Sequence, residues 1–144
     1  MALQITRLTI DDYDSIIKTW SDAGLPYKPL GRDSRPALEK EMQHPATAFF
    51  GLFDDSRMIG VGIANYDGRR GWLNRIAIDP DYRGTGAAGR IIARCEEFLR
   101  SVGAVVICTL VEDTNTPSMA CLVKAGYSCE REITYWTKRP SADA

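Results

Sequence analysis

The sequence predicts a single α/β domain in which a mixed sheet is flanked by helices. Three apolar runs joined by short turns between residues 47 and 78 predict an antiparallel meander. An amphipathic segment at 90–102 and a continuous apolar run at 105–111 then predict a helix and a strand. Because a chain of 144 residues suits one core, we assign residues 1–144 to one domain of order β-α-α-β-β-β-α-β-α-β, with one further strand optional.

The first elements follow from alternation and helix capping. Leu3 to Leu8 nearly alternates apolar with polar residues, which is typical of a strand. Thr9 is a suitable N-cap for a helix over residues 10–23. Ser34 is a suitable N-cap for a second helix, which is expected to end at His44 because a proline follows.

The meander is divided by two turns rich in polar residues and glycine. Thr47 to Phe53 and Met58 to Tyr66 are predicted as strands on either side of the turn at 54–57. The turn at 67–71 leads into the next predicted strand, Trp72 to Ile78. Strands that follow one another this closely pair as antiparallel neighbours.

The second half of the chain alternates helix and strand. The predicted helix ends near Val102, and Gly103 follows as a suitable C-terminal residue. Val105 to Val111 reads as a central strand buried on both faces. Thr116 and Pro117 mark the start of the last helix, and Tyr127 to Thr137 is expected to supply one or two final strands.

Composition and charge narrow the classes of function. A net charge of −1 gives no overall attraction to nucleic acid or to an anionic membrane, and we expect neither as a partner. The four cysteines form no C-x-x-C pair and only one histidine is present, so we expect no metal site. Single thiols are typical of a reducing compartment, which favours a cytoplasmic protein.

A glycine-rich turn stands between the meander and the long helix. Glycines permit a positive φ and a close approach to a ligand, and the N–H groups of the helix that follows attract an anion. Gly84, Gly86 and Gly89 match the dinucleotide fingerprint G-x-G-x-x-G, and Glu112 could serve as its acidic residue. Two observations oppose this interpretation. Five residues, Asp79 to Arg83, separate the strand from the first glycine. The preceding antiparallel meander also does not belong to a dinucleotide-binding fold.

The residues around this turn carry a resemblance to a known family. The stretch Ala77 to Ala88 is similar to the acetyl-CoA signature of the GCN5-related N-acetyltransferases (GNAT), which runs Arg/Gln-x-x-Gly-x-Gly/Ala. Three residues match the signature directly: Arg83, Gly86 and Ala88. Downstream, Asn115 leads into a helix that ends in Gly126 and Tyr127, which resembles the family's second pattern. The order of elements is similar over essentially the whole chain.

The resemblance implies an acetyl-CoA-dependent N-acetyltransferase with acetyl-CoA as co-substrate. It implies that the strand before the turn pairs with the pantetheine arm, through Ile76, Ala77 and Ile78. It also implies that backbone N–H groups hold the pyrophosphate, from Arg83, Gly84, Thr85, Gly86, Ala87 and Ala88. Asn115 would contact the pantetheine, and the amine acceptor would attack the acetyl group directly.

The positions where the family commonly has a general acid and a general base hold other residues here. The tyrosine expected seven residues after Asn115 is replaced by Leu122, and the strand position where a carboxylate is common holds Asn74. We interpret Glu112 as the candidate base, acting through a water, and Tyr127 as the candidate acid. The same departures also allow a protein that binds CoA and has lost catalysis, so both interpretations are kept.

The acceptor is not defined by the sequence. The resemblance implies an acceptor cleft formed by Leu25 to Asp33 and by Tyr127 to Thr137. Four aromatic residues could line it and favour a cation: Trp20, Tyr27, Tyr135 and Trp136. Three basic residues would instead favour an acceptor with a carboxylate or phosphate: Lys28, Arg32 and Arg75. A small amine, an amino acid and a protein N-terminus all remain open, as does a homodimer.

Overall fold

The computed structural model describes residues 3–144; Met1 and Ala2, which belong to the predicted domain, lie outside this range. The strands are β1 (Leu3–Arg7), β2 (Thr47–Asp54), β3 (Arg57–Tyr66), β4 (Arg70–Ile78) and β5 (Val106–Thr109). The α-helices are α1 (Tyr13–Asp22), α2 (Arg35–Met42), α3 (Ala87–Ser101) and α4 (Thr116–Lys124). Within residues 3–144, no helix has the length and the hydropathy needed to cross a membrane.

The five strands form one mixed sheet in the order β1-β2-β3-β4-β5. β1 to β4 are antiparallel neighbours, and β5 joins β4 in parallel after the crossover through α3. The predicted meander and the predicted mixed fold are therefore confirmed. The parallel pair is what places the start of α3 and the start of α4 at the same end of the sheet, because each helix follows the carboxyl end of its strand.

α3 packs closely against one face of the sheet. Its predicted apolar stripe is buried as expected: Ile91, Ile92, Cys95, Phe98 and Leu99. The close approach depends on glycines in β3, since a Cβ at Gly62 would lie 2.6 Å from Ile91 Cγ2. The helix that begins at the glycine-rich turn is thus fixed against the centre of the sheet.

α1 and α2 cover the opposite face. Ile16, Trp20 and Leu38 are buried there against β2 and β3. α1 begins three residues later than predicted because Ile10–Asp12 forms a 3-10 turn. In this turn Thr9 and Asp12 form a capping box, in which the Asp12 carboxylate accepts the Thr9 N–H at 2.9 Å. Ser34 caps α2 as predicted, accepting the Ala37 N–H.

The C-terminal part of the chain corrects two predictions. Tyr127 to Thr137 forms no strand, and β5 is an edge strand of four residues, not a central strand over Val105 to Val111. Ile133 and Tyr135 alternate as in a strand, but a strand needs a neighbour for its backbone groups, and this segment lies exposed to solvent. Because the part of the chain that the structure describes has no strand beyond β5, the outer edge of β5 stays open.

Candidate active site

β4 and β5 pair over four residues and then separate. The parallel register runs from Arg70 opposite Val106 to Leu73 opposite Thr109. At the last pair, the Thr109 hydroxyl donates to the carbonyl of Leu73 at 2.9 Å. Beyond this fork, the β5-facing edge of β4 from Asn74 to Ile78 has no strand partner among residues 3–144. An extended ligand can hydrogen-bond to this edge as an added strand would.

A bulge interrupts the pairing of β4 with β3 beside this free edge. Asn74 lies opposite Ile63 and Ala77 lies opposite Val61, so β4 carries one residue more than β3 between these pairs. Arg75 occupies the bulge with φ of 55°, a left-handed conformation that is costly for a residue with a side chain. The residues predicted to pair with pantetheine follow directly on the free edge: Ile76, Ala77 and Ile78.

The glycine-rich turn opens onto free space at the start of α3. Gly84 and Gly86 adopt positive φ of 78° and 82°, and a Cβ at either position or at Gly89 would meet nothing within 4 Å. Gly86 is the N-cap of α3 and provides no side-chain cap. The N–H of Arg90 is bonded to the carbonyl of Gly86, so the N–H groups of the preceding turn have no helical acceptor.

This geometry fits a pyrophosphate. The open N–H groups and the positive end of the α3 dipole favour an anion, and the space beside the glycines leaves room for it. Among the assigned loop residues, Gly84, Thr85, Gly86, Ala87 and Ala88 lie in this turn and at the start of α3. Arg83 departs from the prediction, because its N–H donates to the carbonyl of Pro80. Thr85 holds the turn through a hydroxyl that donates to the carbonyl of Tyr82.

A network of side chains fixes the segment between β4 and the glycines. Asp79 is buried, pairs with the Arg57 guanidinium, and accepts the N–H of Asp81 at 2.9 Å. The Tyr82 hydroxyl donates to the carboxylate of Asp54, and this hydrogen bond raises the pKa of Tyr82. Sequence analysis missed this network because Arg57 and Asp54 come from the β2–β3 turn, which is distant in sequence.

Replacing Asp79 by alanine should loosen the turn and destabilise the fold. The change removes a buried carboxylate that pairs with the half-exposed Arg57 and accepts an N–H, and we expect a loss of about 1–3 kcal/mol in the free energy of unfolding. Asp81→Ala is the matched control, because the Asp81 carboxylate is exposed and makes no hydrogen bond within residues 3–144. Denaturant unfolding of both variants checks the prediction, and equal stabilities would contradict it.

Asn115 lies at the same end of the sheet as the glycine-rich turn. It is the N-cap of α4, and its Oδ1 accepts the Ser118 N–H at 3.3 Å. Because α3 follows β4 and α4 follows β5, both helices begin beyond the fork of the two parallel strands. The amide nitrogen of Asn115 is left to donate to a ligand lying in the fork.

The two residues predicted for proton transfer lie in different places. Glu112 is exposed in the turn after β5, where its carbonyl accepts the N–H of Asn115 at 3.0 Å. Tyr127 lies beyond the other end of α4, and its hydroxyl donates to the Glu96 carboxylate of α3 at 2.6 Å. Burial raises the pKa of Tyr127, and this hydrogen bond raises it further. The structure does not bring Glu112 and Tyr127 together.

The aromatic residues expected in the acceptor cleft are also separated. Trp20 is fully buried in the core, where the guanidinium of Arg75 stacks 4.4 Å from its ring centroid. Tyr27 packs beside the same cluster. Tyr135 and Trp136 are 67% and 87% exposed on the C-terminal segment. These four aromatic side chains do not line a common acceptor cleft.

The basic residues that could favour an anionic acceptor are engaged elsewhere. The Lys28 ammonium donates to the carbonyl of Ala142 at 2.7 Å. Arg32 and Arg75 flank the buried carboxylate of Asp33, with N–O distances of 3.9 and 3.7 Å. Burial lowers the pKa of Arg75, while Asp33 opposes this shift. Arg75 is therefore held by stacking and charge alone, because its Nε and Nη2 atoms are buried without a hydrogen-bond partner within residues 3–144.

Comparison with known proteins identifies the class of this fold. The aminoglycoside N-acetyltransferase AAC(6')-Iy, solved with a bisubstrate analogue of CoA, superposes with a TM-score of 0.81 at 17% identity, covering 96% of this chain and 99% of its own. The PaiA N-acetyltransferase of Thermoplasma acidophilum, solved with coenzyme A, gives 0.79 at 19% identity, covering 90% and 92%. The fold is that of an N-acetyltransferase.

The family follows from the sequence comparison. The model of the acetyltransferase (GNAT) family matches residues 9–127, and the chain belongs to this family. An acetyltransferase of Photorhabdus laumondii is 28% identical over 142 residues, which is 98% of each chain. An acetyltransferase of Sodalis glossinidius is 27% identical over 137 residues, which is 95% of each chain. The resemblance seen in the sequence motifs is confirmed.

Proposed function

We propose that the protein is an N-acetyltransferase that moves the acetyl group of acetyl-CoA to a primary amine by direct attack, without a metal. The observation that carries the proposal is the open start of α3, where two left-handed glycines follow the free edge of β4 after a five-residue turn. The pyrophosphate would bind at the glycines and the pantetheine along Ile76 to Ile78. The solved structures named above contain coenzyme A or a CoA bisubstrate analogue, which supports CoA as the ligand.

Each step of the proposed reaction would use a different group of the protein. Backbone N–H groups of the β4 bulge would stabilise the negative charge on the thioester oxygen as the amine attacks. Glu112 would take the proton of the incoming ammonium through a water. The attacking nitrogen then loses its second proton to solvent, the C–S bond breaks, and the thiolate takes up a proton. Tyr127 is the proposed proton donor, although a thiol with a reference pKa of about 8.5 needs little help to leave.

The competing interpretation is a CoA-binding module without catalysis. Leu122 packs against the α3-side core, and Asn74 is hydrogen-bonded to Asn65, so neither position supplies an acid or a base. Thiol release from acetyl-CoA, measured across a panel of small amines, amino acids and peptides with free N-termini, separates the two functions. Turnover with any amine supports the enzyme. Acetyl-CoA binding without any turnover supports the binding module.

We also infer a cytoplasmic homodimer. All four cysteines are free thiols, as suits a reducing compartment. Among residues 3–144, β5 pairs with β4 alone, and beside its open edge Val105 and Val106 are 91% and 53% exposed, so a second copy could cover this surface. Light scattering should give the mass of two chains, and Val106→Lys should reduce it to that of one. A wild-type mass of one chain would contradict the dimer.

A further inference from the structure

The β4 bulge contains a backbone conformation that is unusual inside a strand. Arg75 has φ of 55°, and this left-handed conformation crowds the Cβ of any residue other than glycine. Asp55 is the one other non-glycine residue with positive φ within residues 3–144, and it lies in the two-residue turn of the β2–β3 hairpin, where such a conformation is common. A strained residue inside a strand persists only when its surroundings hold it there.

The guanidinium of Arg75 lies against the ring of Trp20. Its Cζ atom is 4.4 Å from the ring centroid, and Trp20 is fully buried in α1. A cation over the face of an indole ring is attracted more strongly when both groups are removed from water. The Arg75 side chain is itself only 20% exposed. The side chain is therefore fixed to α1, on the face of the sheet that α1 and α2 cover.

The same guanidinium faces a buried carboxylate in the segment between α1 and α2. The Nη2 atom of Arg75 lies 3.7 Å from Oδ2 of Asp33. This carboxylate accepts the N–H of Lys28 at 2.7 Å, and the Asp33 N–H donates to the carbonyl of Lys28 at 3.0 Å. The Tyr13 hydroxyl donates to the carbonyl of Asp33 at 2.7 Å. Asp33 is thus held by its own hydrogen bonds and gives Arg75 a fixed counter-charge.

Hydrogen bonding does not explain why the Arg75 guanidinium is buried. Its Nε and Nη2 atoms are buried and have no hydrogen-bond partner within residues 3–144. A buried donor without an acceptor destabilises the folded state, so such groups are rare in native proteins. Arg75 therefore combines two unfavourable features, a strained backbone and unsatisfied donors. Strain that is kept at one residue in this way indicates a functional constraint.

Arg75 stands where the register of β4 against β3 changes. Arg75 and Ile76 lie between the two residue pairs that flank the bulge, and only Gly62 of β3 lies between the same pairs. In the proposed function, the N–H groups of this stretch face the thioester oxygen. Donors of this kind are effective when the protein holds them in place before the reaction begins. An anchored Arg75 side chain would keep the bulge from relaxing into a regular strand.

We propose that Arg75 is a positioning residue for acetyl transfer. Its side chain, anchored on Trp20 and Asp33, holds the β4 bulge in the left-handed conformation that directs the bulge N–H groups to the thioester oxygen. Arg75 acts through the backbone and not by contact with an anionic acceptor. This proposal rests on the proposed function for the identity of the ligand.

Calorimetric titration with acetyl-CoA and with S-ethyl-CoA, a thioether that lacks the carbonyl oxygen, measures the contact with the bulge. The preference for acetyl-CoA over the thioether should be roughly fivefold smaller in Arg75→Ala than in the wild type, because a hydrogen bond to the carbonyl is lost. Arg75→Gly should lose the preference to the same extent. Glycine adopts φ of 55° without strain, but it has no side chain to hold the bulge there.

Arg94→Ala is the matched control. The Cζ atom of Arg94 also lies 4.4 Å from the centroid of a buried ring, that of Phe50, but Arg94 belongs to the regular helix α3. This variant should keep the wild-type ligand preference and the wild-type rate. Where an amine supports turnover, both Arg75 variants should lower kcat by roughly 100-fold with little change in the KM for acetyl-CoA.

A wild-type preference that persists in Arg75→Gly would overturn the proposal, because the side-chain anchor would then be unnecessary. A preference lost equally in Arg94→Ala would also overturn it, since a general loss of stability would then explain the effect. If both ligands bind without turnover and Arg75→Gly loses the preference, the proposal stands and only the proposed catalysis fails. Failure of the wild type to bind either ligand would contradict the proposed CoA site and this proposal with it.

Discussion

Replacing Gly86 by glutamate should weaken CoA binding by roughly 100-fold or more. The residue has φ of 82°, so a side chain there adopts a conformation that costs about 1–2 kcal/mol. The new carboxylate would also enter the open space beside the start of α3, where the pyrophosphate is proposed to lie. Two like charges at about 4 Å in a partly exposed site repel by several kcal/mol. Isothermal titration calorimetry with CoA measures the loss.

Gly68→Glu is the control for this variant. Gly68 has φ of 94° in the β3–β4 turn, and a Cβ there also meets nothing within 4 Å. The substitution therefore imposes similar backbone strain and the same charge at the end of β4 that is remote from Gly86. We expect CoA affinity to stay at the wild-type level in Gly68→Glu. Equal CoA affinity in Gly86→Glu and the wild type would show that the pyrophosphate lies elsewhere.

Replacing Glu112 by glutamine should lower kcat by about 100-fold or more, the range typical of a lost general base. The acid limb of the pH–rate profile should flatten, because no carboxylate remains to gain a proton as the pH falls. Acetyl-CoA affinity should not change, since the contact of Glu112 with Asn115 uses the backbone carbonyl. Initial rates across pH, with calorimetry for acetyl-CoA, give both readouts.

Asp113→Asn provides the comparison for Glu112→Gln, because the two carboxylates are adjacent and both are exposed. The Asp113 variant should retain the wild-type rate and pH profile. A Glu112→Gln protein with an unchanged acid limb would remove Glu112 from the mechanism. Tyr127→Phe would then be the remaining test of proton transfer. We expect this variant to slow only the step in which the thiolate leaves.

The parts of the site that the sequence predicted are those encoded locally. Gly84 and Gly86 require positive φ, and the helix that follows them begins at Ala87, so turn and helix could be placed from adjacent residues. The start of α4 near Thr116 and Pro117 could be placed for the same reason, although the N-cap is Asn115 and not Thr116. Capping and turn formation depend on neighbours in the chain, which the sequence displays directly.

The parts that were missed depend on contacts between distant segments. The bulge at Arg75 arises from the register of β4 against β3, and the Arg57–Asp79 pair joins a hairpin turn to the glycine-rich segment. Apolar periodicity indicates which face of an element is buried, but it carries no information about register or about which polar groups meet.

The error at the C-terminus has a similar origin. The apolar run after Gly103 predicted a strand buried on both faces, and the alternation around Ile133 predicted a strand beside it. In the structure β5 is short and forms the edge of the sheet, with the segment after Tyr127 exposed. A β pattern shows that a segment can pair, and the partner is decided by the rest of the fold.

The central claim is that the chain binds acetyl-CoA, and thermal unfolding with and without this ligand tests it most directly. A ligand that binds only the folded state at about 100 times its dissociation constant stabilises that state by about 2.7 kcal/mol. We therefore predict a clear rise in Tm at millimolar acetyl-CoA and no rise with NADH. An unchanged Tm with acetyl-CoA, or a rise with NADH alone, would contradict the account.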